Sequence, residues 1–307
     1  MKRYAWLIGL LAVALLGCLP FFKTGYIINF LLVVFYWIGL TGCWNFMSGY
    51  TGYIDFGAVT YVGVGSYVAG VLTLHAGLPL LPAVLLAGLA TLVLALIVGW
   101  PTLKLRGAYF AIATFALAEA LKQVCEEWTS MTGGGSGLTY SLRLDDLTYY
   151  WIYLASAAGV IAMTLFTDRS KMGYAMKAIH QDEHAAARVG INTHWIKIRA
   201  YGQSAFFMGL LGSLEASRLG YITPVDVFNV HITIKMVIMS LLGGMGTVLG
   251  PVIGASFLQI IEEVLGSSFL NWYLVFIGII IILVIMFMPS GISGTITARM
   301  TRLFKKS

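Results

Sequence analysis

The sequence predicts an all-α, polytopic membrane protein. Charged residues are scarce, uncharged apolar windows recur at bilayer length, and those windows lack the alternation of barrel strands. Of 307 residues, 59% are apolar and 10% are charged, whereas a soluble domain carries about 25% charged residues. Such a chain has too little polar surface to cover itself in water. Windows of about 20 uncharged residues match ~30 Å of hydrocarbon. In hydrocarbon every backbone amide is bonded internally, so only helices and closed barrels span. Near-continuous runs of Leu, Val, Ile, Ala and Gly lack the dyad pattern of a barrel.

In chain order the apolar runs fall at roughly 4–21, 26–47, 56–75, 79–100, 107–125, 149–167, 201–219, 231–246, 250–265 and 271–288, about ten segments. Glycine or charge interrupts the third and eighth, so eight or nine crossings stay open, with these two re-entrant or broken. With both termini cytoplasmic, the inner side collects Lys2, Arg3, Lys104, Arg106, Arg169, Lys171, Lys177, Arg188, Lys197, Arg199, Arg299, Arg302, Lys305 and Lys306, fourteen of nineteen basic residues. The outer loops hold Lys23 and Arg143 with Glu126, Glu127, Asp145, Asp146 and Asp226. That asymmetry is the positive-inside pattern. The expected organisation is one transmembrane domain over 1–307, with a cytoplasmic loop at 168–199 and an extracytoplasmic loop at 126–148.

At the N-terminus, Lys2, Arg3 and the run ending Leu15-Leu16-Gly17-Cys18 have the outline of a lipoprotein signal. Leu16 is large for a position that wants a small residue, and the run continues to Phe22, so a retained anchor helix is expected. The net charge of +6 does not point to nucleic acid, because the basic residues mark loops. Cys18, Cys43 and Cys125 lie in or beside apolar runs without metal-ligand spacing, as packing residues do.

Lipid gives helices no hydrophobic reason to associate, so close approach relies on small residues four apart. Gly246, Gly250 and Gly254, following Gly243-Gly244 and flanking Pro251, form the clearest set. Gly209 with Ser213 and Ser217, and Ser66 with Gly70, are weaker sets. Two readings stay open for 243–251: tight helix packing, or a partly unwound segment whose freed carbonyls and amides meet a zwitterionic solute. The stretch Ser48-Gly49-Tyr50-Thr51-Gly52-Tyr53-Ile54-Asp55-Phe56-Gly57 cannot make a comfortable lipid-facing helix, so it is a loop, a break or a pathway lining. Asp55 is either a boundary loop acid or a buried functional one. Glu119 with Lys122, and Glu215 with Arg218, are spaced for neutralisation on one helix face. Lys235 has no local partner and either snorkels to the outer interface or marks the pathway. The glycines at 133–137 lack a following Gly-Lys-Ser/Thr and read as a flexible turn, not a phosphate cradle.

Within the longest basic loop, residues 181–192 carry the ends of a short helix. Asp182 and Glu183 open it, Ala185, Ala186 and Ala187 favour it, Arg188 closes it and Gly190 stops it. It is too short to stand alone. Its small apolar face of Ala185, Ala186 and Val189 needs a groove on this protein or on another.

These stretches resemble the permeases of the branched-chain amino acid ABC transporter family. SKMGYAMKAIHQDEHAAARVGIN is similar to that family's cytoplasmic coupling loop, and SLLGGMGTVLGPVIGA to its Gly-rich membrane segment. SGYTGYIDFGAVTYVGVGSYVAG, and LRGAYFAIATFALAEALKQV followed by WTSMTGGGSGL, resemble its early motif and its middle span with outer loop. The likeness covers about 30–290 and is nearest to the second of two paired permeases. It implies a homologous partner permease, two cytoplasmic ATPases that hold the ATP and magnesium, an extracytoplasmic binding protein, and no cofactor on this chain. It implies the plasma membrane of a prokaryote, the inner membrane if Gram-negative. By the resemblance, Asp182, Glu183, His184, Ala185, Ala186, Arg188, Val189 and Gly190 form the ATPase-coupling helix. Gly49, Tyr50, Gly52, Tyr53, Asp55 and Gly57, with Gly243, Gly244, Gly246 and Gly250, border the solute path. Where relatives often have Gln-x-Ser-x-Gly-His, this chain has Tyr53-Ile54-Asp55-Phe56-Gly57-Ala58, so urea, short amides or another amino acid class stay open as substrates.

Two other function classes make different predictions. A secondary transporter would bind its coupling ion at Asp55, Glu119 or Lys235 and need no ATPase. A membrane enzyme would need paired catalytic groups, whereas His75, His180, His184, His194 and His231 are scattered among loops and span ends.

Overall fold

The computed structural model describes residues 16–17, 25–140, 142–268, 278 and 291–294. The expected segments at 4–21 and 271–288 fall almost wholly outside the described residues, as do Cys18, Lys23 and the basic residues at both ends. Helix α1 (Tyr26–Trp44) continues into a π-helical turn (Asn45–Gly49). It is followed by α2 (Val59–His75), α3 (Leu80–Thr102), α4 (Ala108–Glu127) and the single turn α5 (Thr129–Thr132). Next come α6 (Asp146–Asp168), α7 (Lys171–Gln181), α8 (Glu183–Arg188) and α9 (Thr193–Leu219). The short α10 (Pro224–Val227), α11 (Val230–Gly243) and α12 (Gly250–Ser268) complete the described part. Apart from a two-residue ribbon pairing Leu138 with Ile222 and Thr139 with Tyr221, the regular secondary structure among the described residues is helical. Tyr26–Gly49, Leu80–Thr102, Ala108–Glu127, Asp146–Asp168 and Pro224–Gly243 are long and apolar enough to cross a membrane, and Val59–His75 is a shorter apolar helix. The molecule is an all-α membrane protein.

Helix α3 shows how lipid as solvent inverts a helix. Ala83, Ala87, Thr91 and Ala95, four apart, are fully buried, while Leu81, Leu85, Leu89, Val93 and Ile97 on the other side are 50–65% exposed. Small residues face protein and large ones face lipid, the arrangement expected where association relies on close packing. The central helix is α9, packed along α3 and α2 and crossing α1. A Cβ on Gly65 of α2 would stand 2.3 Å from the Gly209 carbonyl oxygen of α9, so only glycine permits that approach. At such contacts hydroxyls bond backbone carbonyls across the interface: Ser66 Oγ donates to Gly212 at 2.9 Å and Thr91 Oγ1 to Ala205 at 2.9 Å.

Several expectations shift. The crossing placed at 231–246 ends as helix at Gly243, and 244–249 is unwound, with Gly244 and Gly246 at positive φ (113° and 69°). The close-packing reading also holds, since a Cβ on Gly254 of α12 would lie 1.8 Å from the Met239 oxygen of α11. Lys235 has a partner after all: its Nζ is 2.5 Å from Glu262 Oε2 and 4.2 Å from the centre of the Trp37 ring. The turn at 133–137 is docked rather than flexible. Thr132 Oγ1 donates to Cys125 O at 2.6 Å, and the following residues pair with 221–222. The loop at 168–199 contains two helices before α9 where one was expected. In α7, Gly173, Met176 and Ile179 lie inward, and Ser170 Oγ accepts from the Gly173 amide at 3.3 Å as its cap.

Candidate functional site

Helix α8 is set by local chemistry at both ends. Asp182 Oδ1 accepts from the amides of His184 (2.8 Å) and Ala185 (3.0 Å), two of the donors a helix start leaves unpaired. Those bonds hold the Asp182 carboxyl below its ordinary range. At the other end Gly190 takes φ +88°, its amide donates to Ala187 O (3.1 Å), and Ile191 donates to Ala186 O (3.1 Å). This pair of bonds is a Schellman stop, which favours glycine because L side chains resist positive φ. The expected apolar face divides: Ala186 is buried against the bundle, whereas Ala185 points out and Val189 is 77% exposed.

The first residue of α8 enters the bundle. Glu183 Oε1 accepts from Lys197 Nζ at 2.7 Å, Glu183 Oε2 accepts from the Tyr53 hydroxyl, and Arg106 Nε lies 3.5 Å away. Lys197, at the start of α9, is 2% exposed. Its other two bonds go to Tyr53 Oη and Leu103 O, each at 2.8 Å, so all three ammonium protons are used. Arg106 also contacts His184. Burial acts to raise Glu183, but the bonds from Lys197 and Tyr53 overcome it and hold the carboxyl below its usual range. Burial lowers Lys197, and Glu183 opposes that shift. One buried ion pair therefore ties α8 to α9, to the end of α3 and to the segment before α2.

That last segment is 49–57. His180 of α7 has Nδ1 3.1 Å from Gly49 O, and its ring lies against Gly52 (φ +77°), where a Cβ would meet it at 3.3 Å. Tyr50 is buried, with Lys177 Nζ 5.5 Å from its ring centre; the same ammonium bonds Asp168 Oδ1 at 2.6 Å. Asp55 is 3% exposed and lies inside the bundle, in the loop between α1 and α2. Its Oδ1 accepts from the Gly57 amide at 2.8 Å, its amide donates to Ser48 Oγ at 3.2 Å, and its carbonyl accepts from Trp44 Nε1 at 2.8 Å. Among the described residues no cation pairs with it. Burial pushes its carboxyl up to about 6, against the opposing Gly57 amide and the Thr114 and Tyr201 hydroxyls. Gly57 is pressed on α4, where a Cβ would stand 2.1 Å from Thr114 O.

From 49–57 the contacts pass to 243–250 through Asn45, in the π-helical turn. Asn45 Nδ2 donates to Thr247 O at 2.9 Å, and its Oδ1 accepts from the Gly246 amide at 2.8 Å and from Ser240 Oγ at 3.1 Å. A Cβ on Gly49 would stand 2.7 Å from the Gly246 nitrogen. Gly243 and Gly250 close the unwound stretch on itself, with the Gly250 amide bonded to Thr247 Oγ1 at 3.0 Å. The three groups of residues singled out in the sequence thus form one continuous contact path from α8 to α11.

Sequence reasoning missed the connectors Lys197, Asn45, His180 and Arg106. Lys197 had one local signal, a lone cation between Ile196 and Ile198 at the opening of a long apolar helix. Asn45 had a comparable one, an amide in the apolar run just past α1.

A family model described as the permease component of the branched-chain amino acid transport system matches residues 26–285. The high-affinity branched-chain amino acid transport system permease protein LivM of Escherichia coli is 24% identical over 279 residues, covering 81% of this chain and 65% of LivM. The permease protein LivH of the same organism is 31% identical over 145 residues, 47% of this chain and 46% of LivH. The autoinducer 2 import system permease protein LsrC of Yersinia enterocolitica is 30% identical over 110 residues, 34% of this chain and 31% of LsrC. The chain spans about 65% of the length of the LivM proteins it matches. No solved structure matches.

Proposed function

The chain belongs to the family of branched-chain amino acid transport permease components, and on that premise we propose that it is one of two paired permeases in an ATP-driven, binding-protein-dependent importer. It lies in the plasma membrane of a prokaryote and forms part of the path for branched-chain or related hydrophobic amino acids. Two cytoplasmic ATPases bind the ATP and magnesium, and a soluble receptor outside the membrane delivers the solute. The carrying observation is the buried Lys197–Glu183 pair: α8 presents Ala185, Arg188 and Val189 outward while its first acid is fixed to the central helix.

Closure of the ATPases would displace α8. Because Glu183 is bonded to Lys197 and Tyr53, that displacement passes to α9 and to 49–57, and through Asn45 to the unwound 243–250 stretch. A two-state bundle switches when one state gains contacts that the other lacks. The coupling helix comprises Asp182, Glu183, His184, Ala185, Ala186, Arg188, Val189 and Gly190, and the two glycine-rich segments border the path.

Purification from membranes tests this reading. ATPase subunits are expected to accompany the chain and to be lost on Arg188→Glu, an exposed position whose reversal leaves the Lys197–Glu183 pair in place. A chain that transports alone in liposomes would overturn it. Asp55 supports a second reading, an ion-coupled carrier, because it is a buried acid that no cation pairs with among the described residues. That reading requires uptake that collapses with a protonophore and persists without ATPase. Urea and short amides remain alternative solutes for the importer.

A further inference from the structure

At the end of α9 away from Lys197, a cavity of about 370 Å³ opens between α1, α2, α9 and the 221–232 segment. Eighteen residues of helix separate Lys197 from Glu215, roughly 27 Å along the axis. The cavity volume falls in the range of small-molecule sites, about 300–1,000 Å³. Val62, Ile222, Val227 and Ile232 give it an aliphatic wall, and Glu215 stands in that wall with Asp226 also lining it. Glu215 is 18% exposed in its side chain and is paired with Arg218.

The bonds to Glu215 are unevenly distributed. Among the described residues, Oε2 accepts from Tyr153 Oη (2.7 Å) and Arg218 Nε (2.9 Å), whereas Oε1 accepts from Arg218 Nη2 (2.5 Å) alone. A carboxylate offers about four acceptor positions, so one on Oε1 is open. Among the described residues, two acids, Glu215 and Asp226, stand at this end of the cavity against Arg218, an excess of negative charge. An apolar wall beside an unfilled, charge-assisted acceptor suits a solute with a branched aliphatic body and a primary ammonium.

We propose that this cavity is a solute subsite in which Glu215 Oε1 receives the ammonium of a small aliphatic amino acid whose side chain packs on Val62, Val227 and Ile232. The assignment rests on the permease reading, and in the proposed orientation the cavity is on the side from which solute arrives. Each copy of this chain then carries its own site rather than relying wholly on a seam with its partner.

The test is solute protection of Ile232→Cys in the complete complex, with Cys18, Cys43 and Cys125 replaced by Ala. Leucine and isoamylamine are expected to slow labelling by a membrane-impermeant maleimide, about twofold at a concentration equal to Kd. 4-Methylpentanoate, which lacks the ammonium, is expected to give no protection. Glu215→Gln should abolish the protection while labelling without solute persists. Ala216→Phe, which fills the cavity without removing the ion pair, should abolish it as well. No protection by leucine or isoamylamine, or equal protection in both variants, overturns the subsite. ATPase retention on purification reports on the permease reading separately, so either can fail alone.

Discussion

Lys197 and Glu183 meet at 2.7 Å in the interior, fourteen residues apart on two helices, and the lysine has no ammonium proton to spare. A pair so enclosed is costly to break from one side, because the survivor keeps an uncompensated buried charge. Lys197→Met, which leaves Glu183 only the half-exposed Arg106 at 3.5 Å, is therefore expected to destabilise the protein by up to about 3–5 kcal/mol. Lys197→Met with Glu183→Met should recover much of that stability, since neither charge is then stranded. The double variant should still hydrolyse ATP in the assembled complex without moving solute. Thermal unfolding in detergent, with ATPase and uptake rates measured in parallel, checks both parts.

Asn45 predicts a different pattern. Asn45→Leu removes three hydrogen bonds to the 240–247 region and leaves the Gly246 amide unpaired, at a cost of about 1–3 kcal/mol. Uptake should fall well below wild type while ATPase subunits still co-purify, because α8 is untouched. Loss of the ATPases in this variant would argue against a path of contacts that begins at α8.

Asp55 gives a pH dependence of defined sign. Its folded carboxyl titrates near 6 against an ordinary 3.8, so between these values the folded state holds more protons than the unfolded state. Stability conferred by the protonated form is present below the lower value and is lost as pH rises through the upper one. The unfolding temperature of the wild type is expected to decline across that interval, and Asp55→Asn should flatten the decline. Asp182 acts oppositely: its carboxyl is lowered, so its cap is present above the ordinary value and is lost as pH falls through the folded one. Melting curves of Asp55→Asn and Asp182→Ala against pH separate these slopes.

Gly65 tests the packing of the central helix. A side chain there would collide with the Gly209 carbonyl, and overpacking typically costs about 1–3 kcal/mol. Gly65→Val should lower the yield of folded protein, and Gly135→Val, where nothing lies within 4 Å and φ is not positive, serves as a control of opposite environment. Size-exclusion profiles of the two variants make the comparison.

The legible parts were those governed by neighbours in sequence. Hydrocarbon length fixed the helical class, and the three-residue spacing of Glu215 and Arg218 fixed their pairing. Asp182 and Gly190 marked the ends of α8, because caps act within one turn. What stayed hidden depended on separation in the chain. Lys197 looked like another inner-side cation because the positive-inside rule counts charges without locating them; its bond to Tyr53 spans 144 positions. Lys235 finds Glu262 only when α11 folds back on α12, 27 positions away. Helix α7 was lost among Lys171, Lys177 and His180, whose charge masked the inward run of Gly173, Met176 and Ile179.

In the proposed importer, α8 is the handle through which a separate motor moves the bundle. Val189, at the end of α8, is 77% exposed, so the decisive measurement is thiol cross-linking from Val189→Cys in intact membranes. An adduct with an ATPase subunit, whose yield changes when ATP is added, is the expected result. Modification of Val189→Cys by an impermeant reagent applied from outside the cell, with no ATPase adduct, would contradict it.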